Sequence, residues 1–239
     1  CVGAGASSMS LAITDGTAPF TIKYTRNAIS QTDISGYTSG APYSLGSLGL
    51  GTYVYHITEI KDFCNNTMAV LPGDFTIHIN PIPDISATNP ATQTICNNST
   101  MNIELLTDVP GTKFTWTFND GGGVTWISSP AGGTITDGVG TEEISQLLRH
   151  SNSNPVTVVY TIAPTGPATT NCAGTSITRS VVVEPTPAAA ISNNTQTLCD
   201  GASLTAMTVS ATTTHIAART FDMAIVATTG SLANLKATG

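Results

Sequence analysis

The chain has 239 residues, a net charge of −7 and only 10% charged residues, against about 25% in an average soluble domain. Its lysines and arginines are few and scattered singly, so no basic stripe exists to follow a phosphate backbone, and a nucleic-acid partner is not expected. No apolar run approaches the roughly 18 residues of a membrane-spanning helix, so no transmembrane segment is expected in this stretch.

With so little charge, solubility has to come from hydroxyls. There are 41 threonines, spread from Thr14 to Thr238, among many Ser, Asn and Gly. Threonine is β-branched, which suits a strand, and its hydroxyl keeps an exposed sheet face wet. The composition predicts an all-β chain with hydroxyl-covered sheets.

In chain order, residues 9–14 and 20–24 alternate apolar and polar, and so do 53–57 and 75–79. Residues 114–118, 156–162 and 177–183 follow the same period of two, the signature of a half-buried strand. Asp15-Gly16, Gly36, Gly40, Pro42, residues 120–123, Gly132-Gly133 and Asp137-Gly138 supply turns between them. Residues 142–150 have good helix propensity but are read as a strand or short turn, because β neighbours on both sides override it. Beyond residue 188 only 203–209 and roughly 220–226 read as strands.

A repeat organises these elements. Cys1 opens CVGAGASSMSLAIT, Cys96 opens CNNSTMNIELLT, and Cys199 opens CDGASLTAMTVS. Pro81-Ile82-Pro83 leads into ISATNPATQTIC, and Pro185-Thr186-Pro187 leads into ISNNTQTLC. The cysteines are 95 and 103 residues apart, one immunoglobulin-sized sandwich per period. Proline fixes φ and offers no N–H, so the Pro-x-Pro segments read as extended, fairly stiff linkers. Three units follow: 1–83, which lacks its first strand; 84–187, which is complete; and 188–239, a partial third repeat. Half a sandwich cannot bury a core. The natural chain is therefore expected to continue, or another segment to complete the third unit. The start at Cys1 without a Met is read as a cut or absent N-terminus, so a missing signal peptide carries little weight.

The second unit resembles the PKD-like repeats of giant Bacteroidota cell-surface proteins. The matching stretches are ICNNSTMNIELLT at 95–107, PGTKFTWTF at 110–118, GGGVTW at 121–126, PVTVVYTIAPT at 155–165, NCAG at 171–174 and VVVEPTP at 181–187. The first unit is similar to the immunoglobulin-like repeats found beside them, through GTAPFTIKYT at 16–25 and GLGTYVYHITEIKDFC at 49–64. Such repeats occur in type IX secretion substrates, including gliding-motility adhesins. The resemblance implies tandem Ig-like (PKD-like) β-sandwich domains in an elongated array, export through the outer membrane and display on the cell surface. It carries over no functional residue.

Five cysteines in an exported chain suggest disulfides. Two pairings are open. One lies within units, Cys1–Cys64 and Cys96–Cys172, with Cys199 paired beyond residue 239. The other is an inter-domain staple, Cys1–Cys172. The first explains the odd count simply; Ig geometry allows the second, because the start of the second strand lies near the hairpin loop of the following domain. Disulfide Cα atoms must come within about 7 Å.

Residue types that carry chemistry are sparse. His56, His78, His150 and His215 are far apart, and His56 and His78 fall at solvent-facing strand positions. No metal-ligand spacing, nucleophile elbow or phosphate loop is present, and no cofactor or catalytic residue is expected. Gly46, Gly49 and Gly51 open a strand rather than a helix, so they form a turn and not a phosphate cradle. Tyr53, two residues after Gly51, is a candidate tyrosine corner. Trp116 is expected in the core. Trp126 is the better candidate for stacking on a surface glycan. Asp84, Asp120 and Asp137 are considered as calcium ligands but lack the spacing of a calcium loop. The sequons at Asn65, Asn97, Asn98 and Asn194 are expected by chance in so polar a chain.

Three functional readings remain. The chain is a non-catalytic stalk or filament segment, an adhesin that itself binds surfaces or glycans, or a spacer in a large secreted enzyme whose catalytic domain lies elsewhere. The expected partners are neighbouring repeats of the same chain and, through strand donation at the third unit, other copies in a filament.

Overall fold

The structure is a computed structural model that describes residues 1–3, 5–86, 90–126, 132–136, 142–199, 201–203, 205–216, 218 and 220–221. The chain is all-β, as the threonine content and the period of two predict.

The first group of strands is β1 (Ser7–Met9), β2 (Phe20–Arg26), β3 (Ile29–Ser30), β4 (Ile34–Tyr37), β5 (Tyr43–Gly46), β6 (Gly51–Lys61) and β7 (Phe75–Ile79). One sheet has the order β3-β2-β6-β7 with β4 also on β2, and β1 pairs β5 opposite it. Alternation fills the space between: Phe20, Ile22 and Tyr24 point inward from β2, and Tyr55, Ile57 and Ile60 from β6. The spacing of three between Ile57 and Ile60 breaks a period of two. A register shift between Lys23 and Tyr24 accounts for it: Glu59 pairs Lys23 and Ile57 pairs Tyr24, leaving Thr58 as the extra residue of a bulge. Tyr55 stacks on Phe75 with ring centroids 4.9 Å apart.

Of the strand expected at 9–14 only Met9 is in a strand, as the last residue of β1. After Met9 the backbone leaves the ladder, because side-chain hydroxyls take over its polar groups. Leu11 N–H donates to the Tyr37 hydroxyl at 2.6 Å, and Ile13 exchanges two hydrogen bonds with Ser39 Oγ. Backbone donors satisfied by side chains have no need of a strand partner.

The second group is β8 (Ile85–Ser86), β9 (Thr92–Ile95), β10 (Ser99–Glu104), β11 (Leu106–Thr107), β12 (Lys113–Asn119), β13 (Thr125–Trp126), β14 (Gly132–Thr136), β15 (Glu143–Arg149), β16 (Val156–Thr165) and β17 (Ile177–Val183). One sheet runs β14-β12-β16-β17-β9, with β9 parallel to β17. The facing sheet runs β10-β15-β13. Within residues 142–150, Glu143–Arg149 form a strand, one of the two outcomes expected against their helix propensity. The core between the sheets is a second cluster that shares no residue with the first. It is built from Ile85, Met101, Ile103, Leu105, Phe114, Trp116, Ile144, Leu148, Val158, Tyr160, Ile162, Val181 and Val183. One polar pair lies inside it: the Tyr160 hydroxyl donates to Gln146 Oε1 at 2.7 Å. Burial pushes the Tyr160 phenol well above its usual range.

After the second Pro-x-Pro segment, β18 (Ala189–Ser192) pairs antiparallel with β19 (Thr208–Ala211). The strand expected at 203–209 is therefore displaced to 208–211. Of the strand expected at 220–226, all beyond Phe221 lies outside the described residues. Every residue of β18 is exposed.

Candidate functional site: a stapled junction

The most heavily built feature outside the two cores is where the first Pro-x-Pro segment meets the loop between β16 and β17. That loop folds tightly on itself. Gly166 N–H donates to the Cys172 carbonyl at 2.7 Å, and Thr170 and Asn171 N–H both reach Pro167 O. Asn171 takes a left-handed φ of 49° to close the turn. Thr165 bridges Ala173, and Gly174 N–H donates to Pro164 O at 2.9 Å. Cys172 is left fully buried.

On the other side, Val2 N–H donates to Asn80 O at 2.9 Å, which seats the N-terminal turn against the end of β7. This places Cys1 beside Pro81. Cys1 and Cys172 form a disulfide with Cα atoms 5.7 Å apart, inside the range that such a bond needs. The linker is clamped as well as stapled. Pro83 is buried, and a Cβ built on Gly174 would overlap its carbonyl oxygen, so only glycine admits this approach of two backbones. Asp84 N–H donates to Asp108 Oδ1 at 3.0 Å, and Ile85 N–H to Asp84 Oδ1 at 2.9 Å. Asp84 thus caps the linker exit.

Of the two pairings left open by the sequence, the inter-domain staple is the one formed. The within-unit pairs Cys1–Cys64 and Cys96–Cys172 are contradicted, and strand register gives the reason. Ile95 pairs Val183, which puts Cys96 at one end of the second sandwich, whereas Cys172 lies past the Ile162–Ile177 pair at the other. The six residues from Ile177 to Val183 span about 20 Å at roughly 3.3 Å per residue, three times the reach of a disulfide. In the first sandwich Cys1 sits beside Asn80, while Cys64 lies in the loop between β6 and β7, past the Tyr55–Phe75 pair. Cys64, Cys96 and Cys199 are free and exposed.

The other sequence candidates fall into structural places. Trp116 is core; the side chain of Trp126 and the whole of Asp137 lie outside the described residues. Asp120 accepts from Gly122 N–H at 2.9 Å and Val124 N–H at 3.2 Å, which makes it a turn residue. Tyr53 forms the expected corner: its hydroxyl donates to Gly49 O at 3.1 Å. Gly46 and Gly51 have φ of 78° and 142°, as the turn reading requires. His56 and His78 are exposed, His56 paired with Asp74 and His78 with Thr52. His150 is buried, its Nε2 3.0 Å from Val183 O. Among the described residues no group of three or more His, Cys, Asp or Glu is placed to hold a metal. Among them, no helix is long and apolar enough to cross a membrane.

A second junction, not foreseen in the sequence, follows β17. Asn97 Nδ2 donates to His150 O and to Thr186 Oγ1, each at 2.8 Å, tying the residue after Cys96 to the second Pro-x-Pro segment. Glu184 receives Ile216 N–H at 3.0 Å and lies 3.2 Å from His215 Nδ1. Thr214 N–H donates to Ser153 O at 2.8 Å. The only sequence signal for these contacts was the Pro-x-Pro motif itself.

No curated protein matches the chain. Among solved structures, fibronectin(III)-like modules of CbhA from Clostridium thermocellum share 10% identity over 72% of this chain and 80% of theirs, with a TM-score of 0.32. Three N-terminal domains of the highly immunogenic outer capsid protein (Hoc) of bacteriophage RB49 share 12% identity over 78% of this chain, with a TM-score of 0.31. The match spans 59% of that Hoc chain. At these scores neither likeness supports an argument. The informative match is to a family, and it covers the second sandwich from β9 onward: residues 93–187 match the PKD-like domain.

Proposed function

We propose that this chain is a non-catalytic segment of a large, secreted, repetitive cell-surface protein, serving as stalk or filament in surface attachment or gliding motility. In this reading the repeats are 1–83, 84–187 and 188–239, and the third is a partial unit. The observation that carries it is the Cys1–Cys172 bond, which ties the head of one sandwich to a hairpin loop of the next across a clamped Pro-x-Pro linker. A bond between successive units adds nothing to either core. It restrains bending between them, which is what a stalk needs and an independent binding module does not. A disulfide also suits an oxidising compartment, in keeping with display outside the cell. Low charge with hydroxyl-rich sheet faces fits a long surface array.

The test uses cells that make the protein. Antibody to the second sandwich should label intact cells, external protease should remove the signal, and deletion of the gene should reduce attachment or spreading on a solid surface. Labelling only after lysis would overturn the proposal.

A further inference from the structure

Three cysteines share one local geometry. Cys1, Cys96 and Cys199 each begin a tight turn whose third residue is left-handed: Gly3 at φ 75°, Asn98 at 62° and Gly201 at 79°. In the first two a short strand follows, β1 and β10. The residue after the cysteine also plays the same part twice. Val2 N–H bonds Asn80 beside the first Pro-x-Pro segment, and the Asn97 side chain bonds Thr186 inside the second. Cys96 therefore stands at the second junction as Cys1 stands at the first, exposed and without a bond.

The receiving position repeats too. Cys172 lies in the loop between β16 and β17, next to a left-handed Asn171. Cys64 lies in the corresponding loop between β6 and β7, exposed where Cys172 is buried, with its left-handed asparagine, Asn65 at φ 70°, on the following side. The loop of Cys64 is at the end of its sheet away from Asn80 and the first linker. It faces whatever precedes the first sandwich, as the loop of Cys172 faces the first sandwich itself.

From this equivalence, and resting on the tandem-array reading above, we propose that Cys96 is the leading half of a second inter-repeat disulfide. Its partner is a cysteine in the matching hairpin loop of the following repeat. Cys64 is the receiving half of a bond from the repeat before, and Cys199 leads to the repeat after. The chain is then stapled once per junction, each repeat giving one bond forward and taking one from behind. Bonding Cys64 to Cys96 instead is ruled out, because they sit at the two far ends of the paired sandwiches. Each bond forms when two thiols lose two protons and two electrons to a disulfide-bearing oxidant, which is reduced to its dithiol by thiol–disulfide exchange.

The spacing locates the missing partner. Cys1 to Cys64 is 63 residues and Cys96 to Cys172 is 76. The same offsets from Cys199 place the next loop cysteine at about residues 262–275 of the natural chain.

The experiment is a non-reduced peptide map of the full-length protein from its own cells, with free thiols alkylated before digestion. The expected result is a Cys96 peptide joined to one from the hairpin loop of the next repeat, beside the Cys1–Cys172 pair. Recovery of Cys96 as an alkylated thiol, or joined to a cysteine of its own repeat or to Cys64, would overturn the proposal. Electron micrographs of the same sample separate the two ideas. An extended array with alkylated Cys96 leaves the stalk reading standing and removes the staples; a compact particle with the Cys96 bond intact does the reverse.

Discussion

Replacing Cys1 with serine removes the staple at its exposed end and leaves the buried Cys172 loop untouched. The expected cost comes from the unfolded chain. With the bond in place, full unfolding leaves a ring closed over a separation of 171 residues, a restriction worth about 5 kcal/mol in the chain-entropy account. If only the first sandwich unfolds, the ring is still closed through the folded second sandwich. A loop of roughly 80 residues then costs about 4–5 kcal/mol. The loss is thus similar whichever route unfolding takes. It lowers the melting temperature by about 10–20 °C if the two sandwiches unfold together and by about 20–35 °C if the first unfolds alone. The assay is calorimetric unfolding of Cys1→Ser and the parent chain without reductant, with the parent repeated in reductant. Reductant should bring the parent down to the variant and leave the variant unmoved. A difference below about 2 °C would refute the reasoning, because the bond would then not restrict the unfolded ensemble.

Gly174→Ala places a methyl group on the Pro83 carbonyl; it should cost about 1–3 kcal/mol by overpacking and speed proteolysis in the 81–83 linker, and an unchanged cleavage rate would count against the clamp. Tyr160→Phe takes the hydroxyl donor from buried Gln146; denaturant unfolding of the second sandwich should show a loss of about 1–2 kcal/mol, and a neutral or stabilising result would mean the pair contributes nothing net. Asp62 is held below the usual carboxylate range, first by the backbone N–H of Asn66 and then by its side chain and Thr17. A lowered folded-state value means the carboxylate stabilises the Cys64 loop above about pH 4 and stops doing so as pH falls further. Asp62→Asn should therefore lower the melting temperature at pH 6 and leave it nearly unchanged at pH 2.5; an equal effect at both would remove the charge from the explanation.

Much of the fold was legible because alternation and burial are the same fact seen twice. Phe20, Ile22 and Tyr24, or Val156 to Ile162, can be sorted into inner and outer faces by counting. The sequence reading went astray where a side chain replaced a ladder, as Tyr37 and Ser39 do for residues 11 and 13. Nothing in the order of residues announces that a hydroxyl twenty-six positions away will take a backbone donor. The bulge at Thr58 was visible only as a broken period. At the junction, the Pro-x-Pro segments and the repeated cysteines located the contact, and Ig geometry allowed the staple. Register was needed to exclude the within-unit pairs, since which end of a sandwich a cysteine occupies depends on strand pairing. Gly174 does its work by contact across units and Asn97 by reaching residues 53 and 89 positions away, which no local pattern encodes.

The central claim is that successive sandwiches are held end to end as a stiff rod. Small-angle scattering of the chain without reductant tests it most directly. A compact globule of 239 residues has a radius of gyration of about 18 Å. Two sandwiches stacked along strands of about 30 Å each, plus their loops and the third segment, give a value of about 25 Å or more. The account predicts that larger radius together with the pair-distance profile of a rod, and a broader profile once the Cys1–Cys172 bond is reduced. A radius near 18 Å, unchanged by reductant, would contradict it.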